Sequence, residues 1–172
     1  PLRCQPVVIA AGMWSRQLAA KCGVKVPAAA VEHQYLVSEP IPGVTADTPT
    51  FRDPDHGVYM KPNSGGLAFG GWEADTIAFG ETGVPDDFRQ QLLNANFDRF
   101  EQHAIRAAER VPALGETGVR DLINGPIPVS ADGEPIIGLA PERANVCLAC
   151  GFTAGIAAAG GAGRAVAQRS EE

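Results

Sequence analysis

The stretch Cys150-Gly151-Phe152-Thr153-Ala154-Gly155-Ile156-Ala157-Ala158-Ala159-Gly160-Gly161-Ala162-Gly163-Arg164 constrains the fold more than any other. The short apolar run before it, Asn145 to Cys150, predicts a buried strand. Gly151 ends that strand, and Thr153 stands where a helix N-cap belongs. The predicted helix then has almost no side chains. An interior glycine costs about 1 kcal/mol against alanine. A helix tolerates that where something must approach its backbone closely. Free N–H groups at a helix N-terminus favour negative charge, so the expected neighbour is an anionic or electron-rich ligand. A small-residue helix packed tightly on a sheet is the alternative, and the residues leave it open.

Composition removes several function classes. The net charge is −6 and no Lys/Arg-rich run is present, which argues against a nucleic-acid partner. The longest apolar run is cut off by Arg164 well short of a membrane span, and no signal-peptide pattern occurs. Of the four cysteines, Cys147 and Cys150 form a C-x-x-C on the predicted strand. Residues three apart on a strand point to opposite faces, which argues against a metal or redox pair. No second C-x-x-C completes a zinc site, so no metal is expected. Cys4, Cys22, Cys147 and Cys150 read as reduced, mostly buried thiols of a cytosol-like compartment. The chain opens on Pro1 and enters a strand within a few residues, which reads as a piece of a longer protein.

Along the chain, Pro6 to Ala10 predicts a buried strand, Ala11-Gly12 a turn, and Met13 to Lys21 a helix stopped by Gly23. From Ala28 to Glu39 the pattern becomes an alternating strand. Val31, His33, Tyr35 and Val37 share one face; Glu32, Gln34, Leu36 and Ser38 share the other. Val58–Lys61 and Leu67–Trp72 predict strands, with a hairpin turn over Pro62 to Gly66. Pro85-Asp86-Asp87 predicts the start of a helix with an apolar stripe at Phe88, Leu92 and Leu93. A second helix restarts at Asn96 or Asp98, with Phe97, Phe100, Ala104, Ile105 and Ala108 as its stripe, and ends before Pro112. On this reading His103 lies on the helix surface and His56 in a loop. Val119 to Pro126 reads as strand into turn, Ile127–Val129 as a short extended piece, and Pro135–Gly138 as a strand after a turn at 131–134.

Several of these segments occur together in a recognisable order. They are Val8-Ile9-Ala10-Ala11-Gly12-Met13-Trp14, Glu32-His33-Gln34-Tyr35, Arg52-Asp53-Pro54, Asn124-Gly125-Pro126, Asp132-Gly133-Glu134-Pro135 and Gly151-Phe152-Thr153-Ala154-Gly155-Ile156. In that order they resemble the D-amino-acid-oxidase-type FAD-dependent oxidoreductases, and most of all the dimethylglycine and sarcosine dehydrogenases. The resemblance implies a mixed α+β and α/β fold. Residues 1–27 and 125–172 would form part of an FAD-binding mixed sheet, and 28–124 an antiparallel β substrate domain with a helical segment. The family's G-x-G-x-x-G pyrophosphate turn does not occur in this sequence; Gly160 to Gly163 does not follow a strand and is not that turn.

By the same resemblance, Ala11, Gly12 and Trp14 pass beside FAD, and Gly151, Phe152, Thr153, Gly155 and Ile156 lie near the flavin ring. His33 and Tyr59 match polar residues of the substrate pocket and are the catalytic candidates, with Tyr35 behind them. Arg52 and Arg120 are residue types that bind a carboxylate bidentately. The implied activity is oxidation of the C–N bond of a small N-methylated amino acid, dimethylglycine- or sarcosine-like, by hydride transfer to flavin. The implied partners are that small amine and a missing N-terminal half or partner subunit. The implied compartment is the cytoplasm, or the mitochondrial matrix in a eukaryote. The alternative is a non-catalytic binding or assembly module derived from a flavoprotein.

Overall fold

The structure is a computed structural model that describes residues 6–80 and 82–170, with the side chain of residue 170 left aside. Cys4 lies outside the described residues. The elements in order are β1 (Val7–Ile9), a 3-10 turn (Gly12–Trp14), α1 (Ser15–Ala20), β2 (Ala28–Ser38), β3 (Phe51–Asp53), β4 (Val58–Asn63), β5 (Gly66–Gly71), β6 (Ala78–Phe79), α2 (Phe97–Arg110), a 3-10 turn (Pro112–Glu116), β7 (Val119–Ser130), β8 (Ile136–Ala140), β9 (Arg143–Cys150) and α3 (Gly155–Ser170). They form two compact units. The first holds the described residues up to Val31, Ile77–Arg89, and those from Pro126 on; the second holds Glu32–Thr76 and Gln90–Gly125. The segment Ile77–Arg89, grouped with the middle of the chain in the sequence reading, therefore falls in the first unit.

In the first unit β9 is the central strand of a mixed sheet, order β1-β9-β8, parallel to β1 and antiparallel to β8. Its residues alternate as a half-apolar strand must. Val146, Leu148 and Cys150 join Ile9, Ala19, Val24 and Val26 in one core. Cys147 is fully buried without joining that cluster, as opposite pointing on the strand requires. Cys22, Cys147 and Cys150 are free thiols. The buried strand expected at 6–10 is buried only at Ile9; β1 is an edge strand, and Val7 and Val8 are exposed. Helix α1 ends in a Schellman motif. Gly23 takes the left-handed conformation (φ +76), its N–H bonds to Ala20, and the Val24 N–H reaches back to Ala19.

Two readings in this unit are corrected. The N-cap position of α3 is Ala154, whose carbonyl accepts from the Ala158 N–H at 3.1 Å; Thr153 lies one residue earlier, in the turn. No helix starts at Pro85. The Phe88 N–H closes a single turn onto the Pro85 carbonyl, and the ring of Phe88 packs at a tilt against Phe79 of β6, centroids 4.7 Å apart. The Gln17 amide holds this loop by donating to the Val84 carbonyl (2.7 Å) and accepting from the Val84 N–H (3.0 Å). Gln90 then has φ +50, which no right-handed helix accommodates.

In the second unit β3-β4-β5-β2 form an antiparallel sheet, with β7 paired to β2. Strand β3 was not anticipated from the sequence. Leu36, Val58, Met60, Leu67 and Phe69 face α2 and pack on Phe100 and Ala107. The β4–β5 turn is tighter than expected. Asn63 pairs with Gly66, leaving Ser64 (φ 49) and Gly65 (φ 81) as a two-residue turn of type I′ character. Asn96 caps α2 by accepting from the Arg99 N–H at 3.2 Å, and its own backbone N–H is held by Gln34 Oε1 at 2.8 Å.

The buried face of α2 is Phe100, His103 and Ala107, while Phe97 and Ile105 of the expected stripe are exposed. His103 is 4 % exposed and so is a core residue, not a surface one. Nor is there a turn at Asn124-Gly125-Pro126: β7 runs unbroken from Val119 to Ser130 and absorbs Ile127–Val129. Buried Asn124 keeps the strand extended, its Nδ2 donating to Glu32 Oε2 (2.8 Å) and to the Asn94 carbonyl (2.9 Å).

Candidate functional site

The predicted residues fall into two groups, one in each unit. In the second unit, the register places Arg52, Tyr59, Gly70 and Tyr35 side by side across β3, β4, β5 and β2. Directly paired residues share a face, and this is the face turned away from α2. His33 and Trp72, two residues along from Tyr35 and Gly70, belong to it too.

Gly70 is what makes room. A Cβ there would lie 2.6 Å from the Tyr59 hydroxyl, so only glycine lets the phenol lie across the strand. The hydroxyl then comes 3.0 Å from His33 Nε2. The His33 ring stacks on Trp72 with centroids 4.7 Å apart, and Trp72 also flanks Tyr59. His33 and Tyr59, named from the sequence, are thus brought together as a direct pair.

Glu73 completes the cluster and was missed. Its Oε2 lies 3.4 Å from His33 Nδ1, and its side chain is 8 % exposed. That spacing is an ion-pair distance without hydrogen-bond geometry: Oε2 is a buried oxygen with no hydrogen-bond partner. Burial pushes the Glu73 carboxyl up, but His33, the residue's own backbone N–H and the His103 charge outweigh it, so the carboxyl titrates below its ordinary value. Burial, then Glu73 and Tyr35, push the Tyr59 phenol up to about 12. Tyr59 therefore keeps its proton near neutral pH. Its O–H donates to His33 Nε2 when Nδ1 carries the imidazole proton, the tautomer a Glu73 carboxylate favours.

Behind the sheet, His103 fills the space left by Gly71, where a Cβ would collide with the imidazole ring. Its Nδ1 is buried without a partner. Burial, together with Arg106 and His33, pushes its pKa down, and Glu73 opposes this. The adjacent glycines Gly70 and Gly71, facing opposite sides of one strand, were the sequence signal for both aromatic contacts.

Of the two arginines, Arg120 reaches Glu39 at 3.6 Å. Arg52 is exposed and shares the face of Tyr59. Its neighbour Asp53 points the other way, to Arg110 (2.8 Å) and His56 (3.0 Å).

In the first unit, Ala11, Gly12 and Trp14 follow the carboxyl end of β1, and Gly151, Phe152, Thr153, Gly155 and Ile156 follow the carboxyl end of β9. Because β1 and β9 are parallel, with Ile9 opposite Leu148, the two segments leave the same edge of the sheet. Ligands of α/β sheets bind outside such carboxyl ends. Buried Ser15 ties the turn after β1 together, its hydroxyl accepting from the Ala11 N–H at 3.1 Å; burial pushes the Cys150 thiol up, and Ser15 lowers it. This edge is open. Gly12 (φ +55) has no atom within 4 Å of where its Cβ would be, Trp14 is exposed, and Ile156 is 99 % exposed.

The family model described as "FAD dependent oxidoreductase" (DAO) matches residues 2–169. Sarcosine dehydrogenase, mitochondrial, of Mus musculus is 39 % identical over 162 residues, which is 94 % of this chain and 17 % of the relative. Dimethylglycine dehydrogenase, mitochondrial, of Rattus norvegicus is 34 % identical over 171 residues, 95 % of this chain and 20 % of the relative. The chain thus spans about a fifth of the length of these relatives. Among solved structures, glycine oxidase from Geobacillus kaustophilus superposes with a TM-score of 0.70 at 26 % identity, covering 96 % of this chain and 41 % of that one. The chain belongs to the DAO family of FAD-dependent oxidoreductases.

Proposed function

We propose that this chain supplies part of an enzyme that oxidises the C–N bond of a small N-methylated amino acid, with the first unit contributing to the FAD site and the second to the substrate pocket. The observation that carries the reading is the His33–Tyr59 pair on the sheet face turned away from α2, backed by Glu73 and flanked by Trp72. The names of the sarcosine and dimethylglycine dehydrogenases support the substrate class.

The first-unit residues fit the cofactor. Open glycine at Gly12 and exposed apolar surface at Trp14 and Ile156 suit a large ring system with apolar faces. Ala11, Gly12, Trp14, Gly151, Phe152, Thr153, Gly155 and Ile156 would hold it. Bound FAD supplies the hydride acceptor. The chain's own residues do the rest. A secondary or tertiary amine is largely protonated near neutral pH and must lose that proton before its C–H bond can be broken. His33 accepts it through the Tyr59 hydroxyl, and the Glu73 carboxylate stabilises the imidazolium that results. Trp72 walls one side of the imidazole and keeps it from turning. Arg52, exposed on the same face, offers a fork of N–H donors to the substrate carboxylate.

The test is turnover of sarcosine and dimethylglycine by His33→Ala in the full-length, flavin-loaded protein. We expect kcat/KM to fall ten- to thousandfold, equivalent to roughly 1.4–4 kcal/mol of transition-state stabilisation, with flavin content and melting temperature near normal. Normal turnover per folded molecule would remove His33 from the pocket. Should the wild-type protein bind flavin but turn over neither amine, the substrate class itself fails.

A further inference from the structure

The Glu73 carboxylate faces His33 without a hydrogen bond to hold it there. Its Oε2 lies 3.4 Å from His33 Nδ1 and is buried with no hydrogen-bond partner. Where that oxygen sits therefore depends on the backbone that carries it. Segment 72–76 has left β5 and lies outside any strand or helix. At its start the Trp72 N–H donates to the Gly57 carbonyl at 3.2 Å. Toward its end, Arg99 of α2 grips Asp75 at three points. Arg99 Nη2 donates to the Asp75 main-chain carbonyl and, at 3.2 Å, to Oδ1; Nη1 donates to Oδ2 at 3.4 Å. A guanidinium across both oxygens of a carboxylate fixes orientation as well as distance. The carbonyl contact extends that hold to the backbone.

Arg99 is fixed in its turn. Its own N–H donates to the Asn96 side chain, and the amide of Gln34 holds both the N–H and the carbonyl of Asn96, at 2.8 and 3.2 Å. Gln34 is buried and follows His33 directly on β2. The contacts close a ring within the second unit, from His33 through Gln34, Asn96, Arg99 and Asp75 back to Glu73 and His33.

We propose that Arg99 is a positioning residue for the reaction at His33, holding segment 72–76 so that the Glu73 carboxylate stays beside the imidazole. The inference rests on the amine-oxidation reading, in which that carboxylate stabilises the His33 imidazolium. A misplacement of about 1 Å in such an arrangement can cost about a hundredfold in rate. The Asp75 side chain is 85 % exposed, and an ion pair in that setting contributes little to folding. The brace therefore acts on turnover and leaves the melting temperature nearly unmoved.

The experiment measures sarcosine turnover by the full-length, flavin-loaded protein. Arg99→Ala should lower kcat/KM by about three- to thirtyfold with flavin content and melting temperature near normal. Arg99→Lys, whose ammonium keeps the charge but loses the fork, should recover part of the loss. Placed on top of Glu73→Gln, Arg99→Ala should cost less than about a further twofold, because the carboxylate it positions is already gone. An unchanged kcat/KM in Arg99→Ala would overturn the brace, and so would a full, multiplicative loss in the Glu73→Gln background. Should Arg99→Ala fail to fold, Asp75→Ala decides at an exposed position: a loss in the same direction that also vanishes in the Glu73→Gln background supports the brace, and normal turnover overturns it. Failure of the underlying reading looks different. If His33→Ala turns over normally, the amine-oxidation site is wrong; if His33→Ala is crippled and Arg99→Ala is not, only the brace is.

Discussion

Helices α2 and α3 are of similar length, 14 and 16 residues, and their sequences answer to different neighbours. The buried apolar positions of α2 find their partners within this chain. Phe100 lies 5.7 Å from Phe69, Ala107 is wholly buried, Asn96 caps the start, and Arg110 near the end meets Asp53. Helix α3 is the reverse. A Cβ at Gly160, Gly161 or Gly163 would touch nothing outside the helix among the described residues, and Ile156 is almost fully exposed. Tight packing on the sheet, the alternative considered for these glycines, does not account for them. An amphipathic helix declares its own core; a glycine-rich one with open faces does not.

That contrast is breakable. The largest effect should come from Phe100→Ala, which empties the centre of the second core and should cost about 3–5 kcal/mol. A urea midpoint barely moved would show that α2 is not held as described. Next is Gly71→Ala, whose Cβ would meet the His103 ring and sit 2.7 Å from the Gly57 carbonyl. Overpacking of this sort costs about 1–3 kcal/mol, read as an earlier melt. The smallest is Gly160→Ala, which meets nothing and should stabilise α3 by about 0.5–1 kcal/mol. In the flavin-loaded full-length protein the same change sharpens the comparison. Lost flavin would mean that the glycine serves the cofactor, and a plain gain in stability would mean that α3 tolerates side chains there.

What the sequence disclosed follows the strength of its local signals. Strand β2 was legible from period-two alternation, and β4, β5 and β9 from short apolar runs bounded by turn residues; His33 and Tyr59 were named by resemblance, and their direct pairing was not foreseen. The false helix at Pro85 came from Phe88, Leu92 and Leu93 sitting at helical spacing. Tertiary partners overrode that spacing: Leu93 bridges to Asn124, and Gln90 adopts a left-handed conformation. Asn124-Gly125-Pro126 looked like a turn because those residue types usually make one. Two side-chain hydrogen bonds from Asn124 to segments distant in sequence hold it straight, and no local pattern encodes them. His103 was read as surface because histidine is rarely core. Glu73 was passed over because a lone carboxylate after a strand carries no motif.

The pairing of β1 with β9 has a consequence for how the chain reaches this state. Val7 must wait for Val146, nearly the whole length of the polypeptide, before its ladder can close. The β4–β5 ladder, closed by Ser64-Gly65, needs only neighbours. Hairpins form in about 1–10 μs, whereas a contact between distant residues must first meet the entropy of a long loop. On the ribosome, which adds roughly 5–20 residues per second, the second unit has all its residues once Gly125 has emerged. The first cannot assemble until β9 follows. Pulse-labelled hydrogen exchange during refolding should therefore protect the amides of Met60 and Phe69 before those of Ile9 and Leu148. Simultaneous protection would mean that the two units fold as one cooperative body.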